Sequence, residues 1–282
     1  MSGLPGKPRV EPFFLQAENG QRFCLYYPPA GACRGAVLYV HPFAEEMNRA
    51  RRMAALQARA LAALGYGVLQ IDLLGCGDSS GDFGDARWDL WKQDLASAAV
   101  WLGQRLEQPV TLWGLRLGAL LALDYARSAT HPIAAMLLWQ PVLSGPAFLT
   151  QFLRLRVASA MLNNTSERGG TSALRASLEA GDVLEIAGYA LAPALAAAID
   201  ALESVEAMPP MAPVHWVEAV ASADSPLSPA RTRVAKAWRM QGVALDVHLV
   251  PGPAFWSTPE IALSPDWLAA TSSIFMENKH GI

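Results

Sequence analysis

Four short runs constrain the architecture more than anything else in the chain: AVLYV (36–40), GVLQID (67–72), VTLW (110–113) and IAAMLLW (133–139). They are apolar at consecutive rather than alternate positions. A strand of that kind buries both of its faces, as happens in a parallel sheet covered by helices on each side. The segments between them agree. Arg49 to Leu64 reads as a helix stopped by Gly65, Arg87 to Leu106 as a second and Arg116 to Arg127 as a third. Ahead of them, EPFFLQAE and QRFCLYYPP flank Asn19-Gly20, a signature of a tight antiparallel hairpin.

The alternation lapses after Trp139. From Gly145 to about Met208 the pattern is helical, most clearly in AGYALAPALAAAIDALE. Beyond Pro209-Pro210 it resumes with the strand VHWVEAV, a helix from about Pro229 to Gln241, the strand LDVHLVP and a last helix from about Pro265 to Met276. The prediction is an α/β fold: a mostly parallel sheet covered on both faces, formed by residues 1–144 and 211–282, with a helical cap inserted at 145–210. A chain of 282 residues, 52% hydrophobic and 17% charged, can fill such a core.

Composition also narrows the partners. The net charge is −3 and basic residues cluster only at Arg49, Arg51 and Arg52, which argues against nucleic acid. Cys24, Cys33 and Cys76 are odd in number and lack metal-ligand spacing, so neither a disulfide framework nor a metal site is expected. The start of the chain has no apolar signal core, and no run reaches the roughly 18 residues of a membrane span. A cytoplasmic protein is the expectation. GCGDSSG (75–81) is spaced wrongly for a dinucleotide fingerprint, and there is no P-loop or His-Glu-x-x-His. No cofactor is expected.

The stretch TLWGLRLGALLAL (111–123) joins an apolar strand to an apolar helix through Gly-Leu-Arg-Leu-Gly. The same strand–turn–helix carries Gly-x-Ser-x-Gly in α/β-hydrolases, with the serine as nucleophile at the apex. Three stretches extend the likeness: VLYVHPFAEEMNRARRMAALQARALA, VLQIDLLGCGDSSGDFGDARWDLW and LWGLRLGALLAL, which cover most of residues 36–125. In them the chain resembles the exosortase A system-associated hydrolase 2 family of the α/β-hydrolase superfamily. The resemblance implies an α/β-hydrolase fold and an association with bacterial exopolysaccharide loci.

It also implies where a catalytic triad would sit, and the residues there are unusual. The apex is Arg116. A guanidinium keeps its proton in proteins and is no nucleophile. The acid position, after the strand that follows the cap, falls on Asp224; Glu218 inside that strand is the alternative, and an Asp before Ser-Pro is also an ordinary turn residue. The histidine position, in the loop after the last strand, falls on Phe255, whereas His248 lies within the strand. His41-Pro42-Phe43 ends the first parallel strand, where the fold builds half of its oxyanion hole; the amides of Phe43 and Leu117 are the expected donors. His41 reads either as a tie for its own loop or as a base. Glu45, Glu46 and Asn48 follow and can reach Arg116, or simply open a helix with acidic residues. Trp139, Gln140, Trp256, Phe148, Phe152 and Tyr189 read mainly as core or lid packing.

Two chemistries fit these residues. A fixed cation beside two amide donors and a helix N-terminus attracts an anion, so a carboxylate, phosphate or acidic saccharide is the expected small-molecule ligand, with Glu45 beside it. The alternative is ester or thioester hydrolysis by a water activated at His41 or Asp224, with Arg116 stabilising the developing charge.

Overall fold

A computed structural model describes residues 10–162, 169–222 and 224–277. The chain opens with β1 (Glu11–Ala17) and β2 (Gly20–Tyr27), paired antiparallel with Ala17 opposite Gly20. Gly20 takes φ 94°, so the predicted turn is present, shifted so that Glu18 and Asn19 form its tip. Next come β3 (Gly35–Val40), α1 (Glu45–Ala63), β4 (Tyr66–Ile71), α2 (Trp88–Leu106), β5 (Val110–Leu115), α3 (Leu117–Ala126) and β6 (Ile133–Trp139). The helix α1 starts four residues before its predicted Arg49. Glu45 and Glu46 occupy its first turn, where they face the positive end of the helix dipole. Gly65, at φ 92°, ends it as expected.

After β6 the chain inserts α4 (Gly145–Leu162), α5 (Gly170–Glu179), β7 (Leu184–Ile186), β8 (Tyr189–Leu191) and α6 (Pro193–Asp200). The all-helical reading of this segment is corrected at AGYAL. Ala187 (φ 51°) and Gly188 (φ 83°) both take positive φ and turn β7 back onto β8, as a two-residue hairpin loop requires. The helix begins only at Pro193, whose fixed φ suits a first helical position. The chain then returns through β9 (Val214–Val220), α7 (Pro229–Met240), β10 (Leu245–Pro251) and α8 (Pro265–Glu277).

The sheet has eight strands in the order β1-β2-β4-β3-β5-β6-β9-β10. β2 pairs antiparallel with both β1 and β4, and every other ladder is parallel. One face packs on α1 and α8 around Trp113, Trp139, Phe255 and Trp267, all fully buried. The other face packs on α2 and α3, and this cluster continues without a break into the inserted segment through Phe148, Phe152, Leu195 and Ile199. β3, β5 and β6 all end at the same sheet edge. The turns that follow them, near His41, Arg116 and Gln140, are therefore neighbours.

Candidate functional site

The turn between β5 and α3 is set by two close approaches. A Cβ on Gly114 would lie 2.4 Å from Ala119 Cα, and one on Gly118 would lie 2.3 Å from the His41 carbonyl oxygen. Neither position can carry a larger residue without moving backbone, which is the physical content of the Gly-x-x-x-Gly spacing. Arg116 at the apex has φ 57° and ψ −119°, a sparsely populated conformation for a residue with a side chain. Its surroundings hold it there. The Arg116 amide donates to Trp139 O at 3.0 Å, and its carbonyl accepts from Ala119 N at 3.1 Å and Val142 N at 3.3 Å.

The Arg116 side chain is 11% exposed and extends from this apex. Its Nε donates to Glu46 Oε1 at 3.2 Å, and its guanidinium lies 5.9 Å from the centre of the Trp256 ring. Among the described residues its two Nη groups donate no hydrogen bond. They belong to a side chain lining a cleft of about 480 Å³, shared with Ser144, Phe148, Gln151, Ser204 and Arg231. Burial pushes the Glu46 carboxyl above the usual carboxylate range, against the downward pull of Arg116.

A second ion pair stands behind the first. Arg231, from α7, pairs through Nε with Glu218 of β9 and donates from Nη1 to Pro141 O at 3.1 Å. Glu218 also accepts from Gln140 Nε2 and Trp216 Nε1, each at 2.8 Å. Burial raises the Glu218 carboxyl and lowers the Arg231 guanidinium, and the nearby charge of Arg116 lowers Arg231 further. Arg231 escaped sequence analysis because one arginine on an amphipathic helix carries no signal. Gln140, read as packing, instead turns at φ 45° and bonds Glu218.

The remaining sequence candidates divide. Phe43 and Leu117 line one small cavity with His41 and Gly118. The Leu117 amide opens α3, where first-turn N–H groups lack intrahelical acceptors. The Phe43 ring lies 5.0–5.5 Å from Phe83, Phe148 and Phe152, so it joins sheet to insert. Of Glu45, Glu46 and Asn48, the one that meets Arg116 is Glu46; Glu45 Oε2 is buried, without a hydrogen bond among the described residues.

Of the two readings of His41, the structure shows the contacts of the loop tie. Its Nδ1 lies 2.7 Å from Pro42 O and its Nε2 accepts from Leu73 N at 3.3 Å, so the neutral ring uses both nitrogens on backbone. Burial lowers its pKa, which keeps it in that form. Asp224 is an exposed turn residue, and among the described residues it makes no ion pair with Arg116. Phe255 is fully buried, with ring centres 6.0 Å from Trp139, 4.9 Å from Trp256 and 5.6 Å from Trp267. His248 lies in β10 against His215 at 3.4 Å. Among the described residues no group of three or more His, Cys, Asp or Glu side chains is placed to hold a metal ion, and no helix is long and apolar enough to cross a membrane.

Solved structures share this architecture. A thermostable carboxyl esterase from Bacillus coagulans superposes with TM-score 0.65 at 15% identity, over 95% of this chain and 97% of its own. A putative hydrolase from Agrobacterium vitis does so with TM-score 0.60 at 20% identity, over 95% and 98%. A monoglyceride lipase from Saccharomyces cerevisiae gives TM-score 0.63 at 15% identity, over 96% and 94%. At these identities the likeness establishes the α/β-hydrolase fold and nothing finer. No protein of curated function matches the chain in sequence. Residues 31–212 match the Hydrolase_4 family, serine aminopeptidase S33, and the chain belongs to that family.

Proposed function

We propose that this chain keeps the hydrolase scaffold and uses it to bind an anion, with Arg116 standing where such hydrolases carry the nucleophilic serine. The observation that carries the reading is the guanidinium at the apex of an otherwise complete elbow, lining an open cleft with its Nη groups unbonded among the described residues. Phe255 in the histidine position supports it, because an aromatic core cannot accept a proton from a nucleophile. The ligand class is a carboxylate, phosphate or acidic saccharide, held by Arg116 with the Leu117 amide at the start of α3 and the Phe43 amide in the turn after β3. The likeness of residues 36–125 to exosortase A-associated hydrolases favours a saccharide of an exopolysaccharide locus. Three free cysteines suit a reducing compartment, and we assign the protein to the cytoplasm. Residues 145–210 serve as the cap over the cleft.

Hydrolysis by a water activated at His41 or Asp224 is the weaker reading, given the committed ring of the first and the exposed turn of the second. Short- and long-chain acyl esters and thioesters, offered to the purified protein beside Arg116→Ala and Arg116→Ser, separate the two. No turnover by a folded wild type, with an anion-dependent rise in melting temperature that Arg116→Ala abolishes, is the expected result. Turnover by wild type that disappears in Arg116→Ala would replace binding with catalysis.

A further inference from the structure

The cleft brings its own counter-ions. Arg116 is met by Glu46 and Arg231 by Glu218, so both guanidiniums are neutralised before any ligand arrives. An anion reaching Arg116 would stand beside the Glu46 carboxylate on the same guanidinium. Because Glu46 is buried, water screens it poorly, and two negative charges on one guanidinium repel. Protonating one of them removes the conflict.

Glu46 is built to be the one. Among the described residues it holds Arg116 through Oε1 alone, and its Oε2 is buried without a hydrogen-bond partner. The charged groups around it are few. Glu45 and Arg49 lie on its own helix, Arg116 on the elbow, and Tyr39 on β3 close enough to feel its charge. Glu218 and Arg231 act on Arg116 from the far side. Burial already raises the Glu46 carboxyl, and Glu45 adds to that while Arg116 and Arg49 oppose it. An anion that takes over Arg116 weakens the largest of the opposing influences.

On the anion-pocket reading above, we propose that ligand binding at Arg116 is coupled to uptake of one solvent proton by Glu46 Oε2, so that the pocket takes in an anion together with a proton and releases both as the pH rises. Glu46 then acts as an internal competitor that a bare anion must silence.

Titration calorimetry with sulfate and with glucuronate tests this, since neither ion changes charge between about pH 5.5 and 8. Repeating each titration in two buffers of different ionisation enthalpy counts the protons. The expected count approaches one per anion. Affinity should fall about tenfold per pH unit between the Glu46 pKa of the free protein and that of the complex. Glu46→Gln should bind both anions with no pH slope, and more tightly than wild type at the upper end. Measurable affinity with no proton uptake, or the same slope in Glu46→Gln, would overturn the coupling and leave the anion pocket standing. No binding of either ion by wild type or variant would remove the pocket itself. Should Glu46→Gln fail to fold, the wild-type proton count alone decides.

Discussion

Arg22 and Arg116 are both largely buried arginines held by one acidic side chain, yet their surroundings engage them to different degrees. Arg22 is 2% exposed; its Nε meets Asp94 Oδ1 at 2.7 Å and its Nη1 donates to the carbonyls of Asn19 and Gln21. Asp94 is saturated in turn, since its second oxygen accepts from Leu74 N at 2.9 Å. Among the described residues Arg116 has one longer side-chain hydrogen bond, at 3.2 Å, to a carboxylate whose other oxygen has no hydrogen-bond partner. Arg22 ties the opening hairpin to α2 through two of its three nitrogens, on both a carboxylate and backbone carbonyls. Arg116 stands over a cleft with donors in reserve. Burial alone therefore does not separate the two pairs; they differ in how far the carboxylate of each is hydrogen-bonded.

Removing one partner from each pair is the sharpest way to break the comparison. Asp94→Ala leaves Arg22 buried and uncompensated, and should cost about 3–5 kcal/mol of folding stability in a denaturant titration. Phe255→Ala should cost a similar ~3–5 kcal/mol by opening a void among Trp139, Trp256 and Trp267. For the same reason, Arg116→Ser combined with Phe255→His should melt lower than wild type and hydrolyse no ester. Esterase activity in that double variant would show that the loop after β10 still serves as a catalytic position.

Arg116→Ala should be mild by contrast, costing about 1 kcal/mol or less, because its cleft side is open to water and Glu46 can accept a proton. Its effect should appear in the loss of anion-dependent stabilisation. The smallest effect concerns pH. Burial raises the folded-state pKa of Glu46, so its contribution to stability is fully present below the ordinary carboxylate range and is lost as pH rises through the raised value. Glu46→Gln does not titrate, so its melting temperature should gain on wild type as the pH increases across that window. A gap that stays constant with pH would mean that Arg116 offsets the burial of Glu46 in full.

Much of the fold was legible because the signals were local. Continuous apolar runs marked the central strands, Gly65 marked the end of α1, and Gly114 and Gly118 marked the elbow by a steric demand that glycine alone meets. The hairpin of β7 and β8 was missed for an equally physical reason. Alanine and leucine around Ala187-Gly188 favour a helix, and the positive φ at Ala187 is imposed by strand pairing rather than announced by residue type. At the site, sequence analysis singled out Arg116 and a small set of acids near it. It could not choose Glu46 over Glu45, because adjacent helix positions point about a quarter-turn apart and only the docking of α1 fixes which one meets the elbow.

The sequence by itself determined a parallel sheet flanked by helices, the glycine-framed turn, and the presence of an arginine at the apex of that turn and a phenylalanine after the last strand. Those follow from patterns within a few residues of one another. Only the tertiary structure decided that Glu46 faces Arg116, that Glu218 is held by Arg231 from α7, and that Phe255 belongs to a core of tryptophans. Each of these joins elements distant along the chain, and pairing across such distances is set by how the helices pack on the sheet.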